Sequence, residues 1–140
     1  MTTFRHSALT ETSYLTTELN SLANAGVVLG AAINNGTNRH MFAKIQITLA
    51  SVDLSAKTSP GVRIRLIESI DGGTGYEDND AKAYSITLPI AATNATHTRI
   101  GDVAIPPGHF KLAVVNETGA DFGATGNVLS YATYTVEDNS

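Results

Sequence analysis

The sequence predicts an all-β protein built as an antiparallel β-sandwich of about eight strands. Apolar and polar residues alternate with a period of two in several segments, which is typical of half-buried strands. Charged residues make up only 16% of the chain, so Thr, Asn, Ser and Gly must supply most of the surface polarity, a composition suited to strands and turns. No stretch of about 12 residues has the apolar spacing of an amphipathic helix. We expect a jelly-roll topology, with an immunoglobulin-like arrangement as the alternative, because the pattern alone does not determine strand order.

Residues 1–13 differ from the rest of the chain because they are polar and lack periodicity. They predict a flexible, extended N-terminal arm that becomes ordered only against a partner. Phe4 and Leu9 are the candidate partner-binding anchors of this arm, since they are the side chains it offers for packing. Residues 14–137 are predicted to form the sandwich domain.

The first strands of the sandwich are short. Alternation over residues 14–19 predicts a first strand, and the apolar run at residues 27–29, which lies between two glycines, predicts a second. Asn35 and Gly36 then supply a tight turn, because both residue types tolerate a positive φ.

The central strand is predicted at residues 40–50, where β-branched residues favour an extended chain. Its buried face is expected to carry Met41, Ala43, Ile45, Ile47 and Leu49. A second clear strand covers residues 62–69, where apolar residues alternate with Arg63 and Arg65. One face of that strand should therefore be buried, while the other carries two guanidinium groups.

Four further strands are predicted at residues 83–90, 96–105, 109–117 and 128–136. Pro89 lacks a backbone N–H and so marks an edge or the end of a strand. Gly101 marks a possible bulge. The predicted core consists of Ile45, Ile47, Val62, Ile64, Leu66, Ile86, Leu88, Phe110, Leu112 and Val114.

The overall charge and composition exclude several classes of partner. The formal net charge is −4 and the basic residues are scattered singly, so there is no track for a phosphate backbone and we expect no nucleic acid as a partner. Cysteine is absent, which excludes disulfides and thiolate metal sites. No export signal or run of 18 apolar residues occurs, so we expect a soluble, intracellular product with no membrane partner.

Residues able to carry out chemistry are scattered, and we expect no catalytic site, no cofactor and no metal. The four histidines lack the paired spacing of a zinc site, and no G-x-S-x-G sequence is present. The acidic loop at residues 71–80 does not match the EF-hand pattern and is interpreted as a solvated loop. Tyr76, near its tip, is the one aromatic residue placed for a ligand. A carbohydrate-binding module is therefore an alternative, although the chain has no Trp to form a sugar platform.

Several longer motifs resemble those of small virion structural proteins of tailed bacteriophages, the capsid decoration or cement proteins. They comprise an F-A-x-I-x-I strand, an S-x-D-G loop followed by an aromatic residue, a P-P-G-x-F-K turn and a closing A-x-G-N-x-L-x-Y strand. The matching features run over residues 18–137. The residues that carry them are Phe42, Ala43, Ile45, Ile47, Ser69, Asp71, Gly72, Tyr76, Pro106, Pro107, Gly108, Phe110, Lys111, Ala124, Gly126, Asn127, Leu129 and Tyr131.

This resemblance implies a non-enzymatic structural protein, made in the host bacterial cytoplasm and located on the capsid surface of the virion. The implied partners are the major capsid protein, whose shell it would stabilise, and further copies of this chain, with a trimer favoured over a dimer because symmetric copies match a symmetric shell. The motifs consist of strand and turn residues, so no catalytic residue is carried over. A tail- or fibre-associated adhesin that binds glycans is the alternative, and a small β-sandwich enzyme is the least favoured hypothesis.

Overall fold

The computed structural model describes residues 2–138, which form eleven strands and one turn of 3₁₀ helix at Thr17–Leu19, with no α-helix in that range. None of these residues forms a helix with the length and apolar character needed to cross a membrane. The strands are β1 (Phe4–His6), β2 (Thr12–Leu15), β3 (Val27–Leu29), β4 (Ile33–Asn34), β5 (Phe42–Asp53), β6 (Gly61–Glu68), β7 (Ser85–Pro89), β8 (Asn94–Ala104), β9 (His109–Glu117), β10 (Val128–Tyr134) and β11 (Val136–Asp138).

The strands form an antiparallel sandwich with jelly-roll topology. One sheet has the order β2-β10-β5-β8 and the other has the order β3-β9-β6-β7, with β4 also paired to β9. Since β3 and β4 are two pieces of one interrupted strand, the nine strands from β2 to β10 make an eight-stranded sandwich. Counted along the chain, the two sheets read 1-8-3-6 and 2-7-4-5, which is the jelly-roll order. The predicted fold class is therefore confirmed, and so is jelly-roll over the immunoglobulin-like alternative.

The core lies between the two sheets and matches the predicted set closely. All the predicted core residues are buried except Ile86, which packs against the core but is partly exposed. Ile86 belongs to β7, which pairs with β6 alone, so one side of the strand has no neighbour within the sheet. Leu19, Leu54 and Leu129 are also fully buried and extend the core at residues the predicted set did not include.

β5 is the most enclosed strand of the first sheet. It pairs with β10 on one side and β8 on the other, and Ala43, Ile45, Ile47 and Leu49 on its inner face are each no more than 1% exposed. The strand extends to Asp53, three residues beyond the predicted end.

The sheet irregularity lies in β5 and not in β8. The register between β5 and β8 shifts between Leu49 and Val52, where Ser51 has a φ of 39°. Gly101, the predicted bulge, pairs regularly with Ile45. A Cβ on Gly101 would lie 2.5 Å from Leu88 Cδ2, so the glycine is needed because the two sheets approach closely at this point.

The N-terminal part of the chain differs from the predicted elements. The first sandwich strand begins at Thr12, and after Leu15 the chain turns through the 3₁₀ helix instead of continuing as a strand to Leu19. The turn carries the chain from the first sheet toward the second. Residues 4–6, within the predicted arm, form β1 and pair with β11. We call β1 and β11 together the terminal ribbon.

Tyr14 connects the two sheets at their edge. Its hydroxyl donates a hydrogen bond to the carbonyl of Ala31 and accepts one from Leu112 N on β9, at 3.2 Å. Its ring occupies the space where Gly30 would carry a side chain. The hydroxyl thus satisfies a β9 amide at the interruption between β3 and β4. Burial raises the pKa of Tyr14 to about 12.

Truncating a core side chain should lower stability strongly. We expect Ile47→Ala or Leu112→Ala to reduce the free energy of unfolding by ~2–5 kcal/mol, because each leaves a cavity between the sheets. Urea unfolding measures this change. Ile100→Ala is the matched control, since Ile100 is 58% exposed on β8 and should change stability by only about 0.5 kcal/mol or less. Equal losses in core and control variants would contradict the assignment of the core.

Tyr14 should make the fold less stable at alkaline pH. Its pKa is about 12 in the folded chain against the ordinary tyrosine value of 10.0, so the neutral hydroxyl stabilises the fold fully below pH 10. That contribution is lost as pH rises from 10 to 12, when tyrosinate forms more readily in the unfolded chain. Urea unfolding between pH 10 and pH 12 should show a smaller loss in the free energy of unfolding for Tyr14→Phe than for Tyr84→Phe, because Tyr84 is exposed in the folded chain. The same pH dependence in both variants would be inconsistent with this role.

Candidate functional site

The outer face of the first sheet continues onto the terminal ribbon as one surface. Alternate residues of a strand point the same way, and paired residues on neighbouring strands share a face. Tyr134 is paired with Phe42, and two residues further along Val136 is paired with His6. The rings of His6 and Tyr134 meet edge to face at 5.5 Å between centroids, which makes the surface continuous. This surface, the ribbon face, consists of Phe4, His6, Phe42, Lys44, Gln46, Ile100, Asp102, Tyr134 and Val136.

Four large exposed apolar side chains lie on or beside the ribbon face. Phe4 is 68% exposed, Ile100 58% and Val136 42%, and Leu9 lies next to them at 50%. These four are among nine large apolar side chains that the described part of the chain exposes. A cluster of exposed apolar groups rimmed by polar ones is typical of a protein contact surface.

Polar contacts hold the middle of the ribbon face in one arrangement. Lys44 Nζ donates to Asp102 Oδ1 at 2.9 Å, and the Tyr134 hydroxyl donates to the same oxygen at 2.9 Å. The Tyr134 ring stacks on Phe42 and lies beneath Lys44 Nζ. The hydrogen bond from Lys44, followed by the one from Tyr134, lowers the pKa of Asp102. The carboxylate is therefore ionised and paired at neutral pH, and its charge does not oppose apolar contacts nearby.

Residues 7–11 link β1 to β2 and lie against the outer face of β10. Ser130 and Ala132 point toward this face but are only 2% and 9% exposed. A cavity of about 210 Å³ lies here, lined by Leu9, Glu11, Lys44, Gln46, Ile100, Ser130, Tyr131 and Ala132. The linker thus covers part of the sheet loosely, and leaves open space beneath Leu9.

A polar groove of about 250 Å³ opens on the other side of the linker. It is lined by Ala8, Thr10, Thr12, Ile33, Asn34, Asn35, Asn38, His40, Tyr131 and Thr133. His40 Nδ1 lies 2.7 Å from Thr133 Oγ1, and the rest of the polar lining is amide and hydroxyl groups without a carboxylate. Such a groove suits an uncharged, hydroxylated ligand. In the sequence, the Asn-rich segment is recognisable only as a turn. Tyr131 and Thr133, which line the other side of the groove, follow it about a hundred residues later in the chain.

Tyr76 is not part of the ribbon face. Its ring packs beneath Lys111 Nζ, 4.1 Å from the ring centroid, on β9 of the second sheet. Its hydroxyl is buried without a hydrogen-bond partner within the described residues. Phe4 therefore lies on the terminal ribbon and Leu9 on the linker, both beside the first sheet, whereas Tyr76 lies on a loop of the second sheet. The ring of Tyr76 packs against the protein and does not form an open platform.

The carboxylate of Asp71 organises the loop that carries Tyr76. It accepts hydrogen bonds from Ser69 Oγ at 2.8 Å, from Gly75 N at 2.8 Å and from Thr74 N at 3.0 Å. The bond from Gly75, followed by the others, lowers the pKa of Asp71. No group of three or more His, Cys, Asp or Glu residues suited to a metal ion occurs among residues 2–138.

The sequence matches no family model and no curated protein. Among solved structures, it is similar to CBM35 from Cellvibrio japonicus Abf62, with 15% identity over 86% of this chain and 74% of that chain, and a TM-score of 0.48. It is also similar to a structure described as Desmodium yellow mottle tymovirus, with 5% identity over 99% of this chain and 88% of that chain, and a TM-score of 0.42. A third similar structure is a Xyl-CBM35 in complex with a glucuronic acid containing disaccharide, at 16% identity and a TM-score of 0.44, which covers 100% of this chain and 87% of that chain. Similarity at this level carries no argument about what the chain binds.

The loop at residues 69–84 should fold without calcium, because the carboxylate of Asp71 is already used by the loop itself. We expect a chelator to leave the melting temperature unchanged. Calcium that bound the native state would raise the melting temperature by mass action. A fall of several degrees when the chelator is added would therefore contradict the prediction. Asp71→Asn should speed amide exchange at Thr74 and Gly75, whereas Asp78→Asn should not. Lowering the pH through the depressed pKa of Asp71 should likewise reduce protection at these two amides, measured as the exchange rate relative to that of an unstructured amide at the same pH.

Proposed function

We propose that this chain is a non-enzymatic virion structural protein that binds the major capsid protein shell of a tailed bacteriophage as a decoration subunit. The ribbon face is the observation that carries the proposal, because it gathers exposed apolar side chains on a rigid body. The motif resemblance to decoration proteins supports the same role. The subunit would sit on the capsid surface and stabilise the shell by bridging its subunits.

The composition of the ribbon face fits a contact surface better than a catalytic one. Phe4 and Val136 on the terminal ribbon, and Ile100 on β8, are apolar side chains that are exposed to water in the isolated chain. The charged pair of Lys44 and Asp102 is already joined, so covering it leaves no unpaired charge. A shell protein with a complementary apolar patch would gain affinity from the burial of these side chains.

The arm extends this surface beyond the sandwich. Phe4 lies on β1 and Leu9 on the linker, so both predicted anchors project from a segment that contributes nothing to the core. Several copies placed around a symmetry axis would attach with avidity even if each arm bound weakly. A trimer remains our preferred assembly on the shell.

A glycan-binding adhesin module is the second candidate, and the polar groove favours it. Its amides, hydroxyls and imidazole match the hydrogen-bonding pattern of neutral sugars. Tyr131 lines the groove and offers an apolar surface, although its ring also meets Tyr14 edge to face. This site lies next to the ribbon face but uses different residues.

Removing the anchor Phe4 together with the rest of β1 should weaken shell binding strongly and leave the fold intact. Deletion of residues 1–6 removes β1, whose three residues are all exposed, so the melting temperature should change little. A deletion through residue 13 would also remove Thr12 and Ser13 from β2, so the shorter truncation is the cleaner test. Pelleting with undecorated shells measures binding. Ile100→Ser should weaken binding strongly, whereas Ile70→Ser should not, because Ile70 is a fully exposed apolar residue on the loop of the other sheet.

Full shell binding by both the truncated chain and Ile100→Ser would reject the ribbon face as the attachment site. Binding to glycans that is lost in Asn38→Ala and kept in Ile100→Ser would move the assignment to the adhesin module.

A further inference from the structure

We propose that the N-terminal arm exchanges between neighbouring copies, so that β1 of one chain pairs with β11 of the next and links them into a closed ring. The partner is a second copy of this chain, and the docking site is the edge of β11. Exchange requires no capsid, so it holds or fails separately from the proposed function.

The docking site is defined by the arm that occupies it within a single chain. Phe4, Arg5 and His6 pair with Asp138, Glu137 and Val136 respectively. Ser7 N donates to Thr135 O at 2.9 Å, and Thr135 N donates to Ser7 Oγ at 3.0 Å. Because an arm from a second copy has the same sequence, it can make every one of these contacts in the same register.

The arm is held to its own chain by weak contacts. All three residues of β1 are exposed, and none belongs to the core. The ion pair between Arg5 and Glu137 is 3.5 Å long, with side chains 63% and 42% exposed, so solvent screens most of its attraction. A two-stranded ribbon of this kind is only marginally stable by itself. Releasing the arm therefore costs little free energy, and pairing it with β11 of another copy restores the same interactions.

The linker has the properties of a hinge. Between the pairs His6–Val136 and Thr12–Tyr131, residues 7–11 are opposed by residues 132–135, which is five residues against four. The extra residue prevents a continuous ladder, and residues 8–11 belong to no strand. Five extended residues span roughly 17 Å, enough to carry β1 from its own sheet to an adjacent molecule. An open pocket of about 210 Å³ borders the linker, with Leu9 and Glu11 on one of its sides.

The local concentration of copies selects between the two arrangements. In a dilute solution the arm finds its own β11, because that site is always nearby. When copies are held side by side, a neighbour's β11 is present at an effective concentration in the millimolar range, and exchange adds contacts between the bodies. Each chain then gives one arm and receives one. Such a head-to-tail arrangement ends when the ring closes.

Engineered thiols can trap the exchanged pair, because the chain contains no cysteine. Arg5 and Glu137 are directly paired, so R5C in one copy and E137C in another meet only if the arm crosses between chains. We would mix the two single variants in equal amounts at about 1 mM, a concentration chosen to approach that of tethered copies. After mild oxidation, intact mass spectrometry measures the share of R5C–E137C heterodimers among all disulfide dimers.

We expect heterodimers well above the one half that random pairing gives. R5C mixed with E117C is the matched control, because Glu117 is an exposed glutamate on the second sheet, and its heterodimers should remain near one half. Heterodimers at the random share in the R5C and E137C mixture would overturn the proposal.

A second measurement tests arm exchange without relying on a disulfide, whose formation also requires suitable geometry. Light scattering at the same concentration should find oligomers of the full chain and monomers after deletion of residues 1–6. Monomers in both samples would overturn arm exchange, and oligomers in both would assign assembly to the body of the sandwich instead. Shell pelleting is independent of both experiments, so loss of shell binding with intact exchange would reject the proposed function alone.

Discussion

The pairing of the first and last strands of the sandwich is the constraint on which the other features depend. β10 lies between β2 and β5, so Thr12 pairs with Tyr131 across more than a hundred residues of chain. Closing a loop of this length carries an entropic cost, which the burial of Leu15, Leu129 and their neighbours between the sheets offsets. Once β2 is beside β10, the residues before β2 lie next to the residues after β10. The terminal ribbon, the linker and the polar groove all follow from that one pairing.

The two outer faces of the sandwich are built differently. On the second sheet, Arg63 forms an ion pair with Glu117, and Arg65 donates to the side chain of Asn79 in the loop that folds back toward it. Both guanidinium groups are thus bonded within the chain, although Arg65 Nε has no hydrogen-bond partner among the described residues and Val27 and Leu29 are exposed on the same face. On the first sheet, the linker covers only the part near β10, and Ile100 on β8 stays open. The contrast explains why the ribbon face, and not the loop carrying Tyr76, is the better candidate for a partner surface.

The N-terminal arm takes part in both proposals because none of its residues belongs to the hydrophobic core. A segment that contributes few buried contacts is released at low cost, which is why the two proposals give it a partner, a shell in one and a neighbouring copy in the other. Tyr14 has the opposite role. Its hydroxyl and ring join β2 to β9 at the interruption beside Gly30, so the strand that follows the linker is fixed to both sheets. The boundary between the movable arm and the rigid body therefore lies between residue 11 and Tyr14.

Periodicity and composition were sufficient to predict the sandwich, the strands from residue 40 onward and a set of ten core residues of which nine are buried together. Alternation along a strand is a local property that records which side faces the interior. Phe4 and Leu9 were also recognisable, as apolar residues in a polar segment. Ile100, Phe42 and Tyr134 were not, since each follows the ordinary alternation of its strand. Only the register of β10 with β5, and of β11 with β1, places these residues on one surface. Strand order likewise decided that the break in the sheet lies near Ser51 and not at Gly101, because a register shift is a relation between two strands and leaves no mark in either one alone.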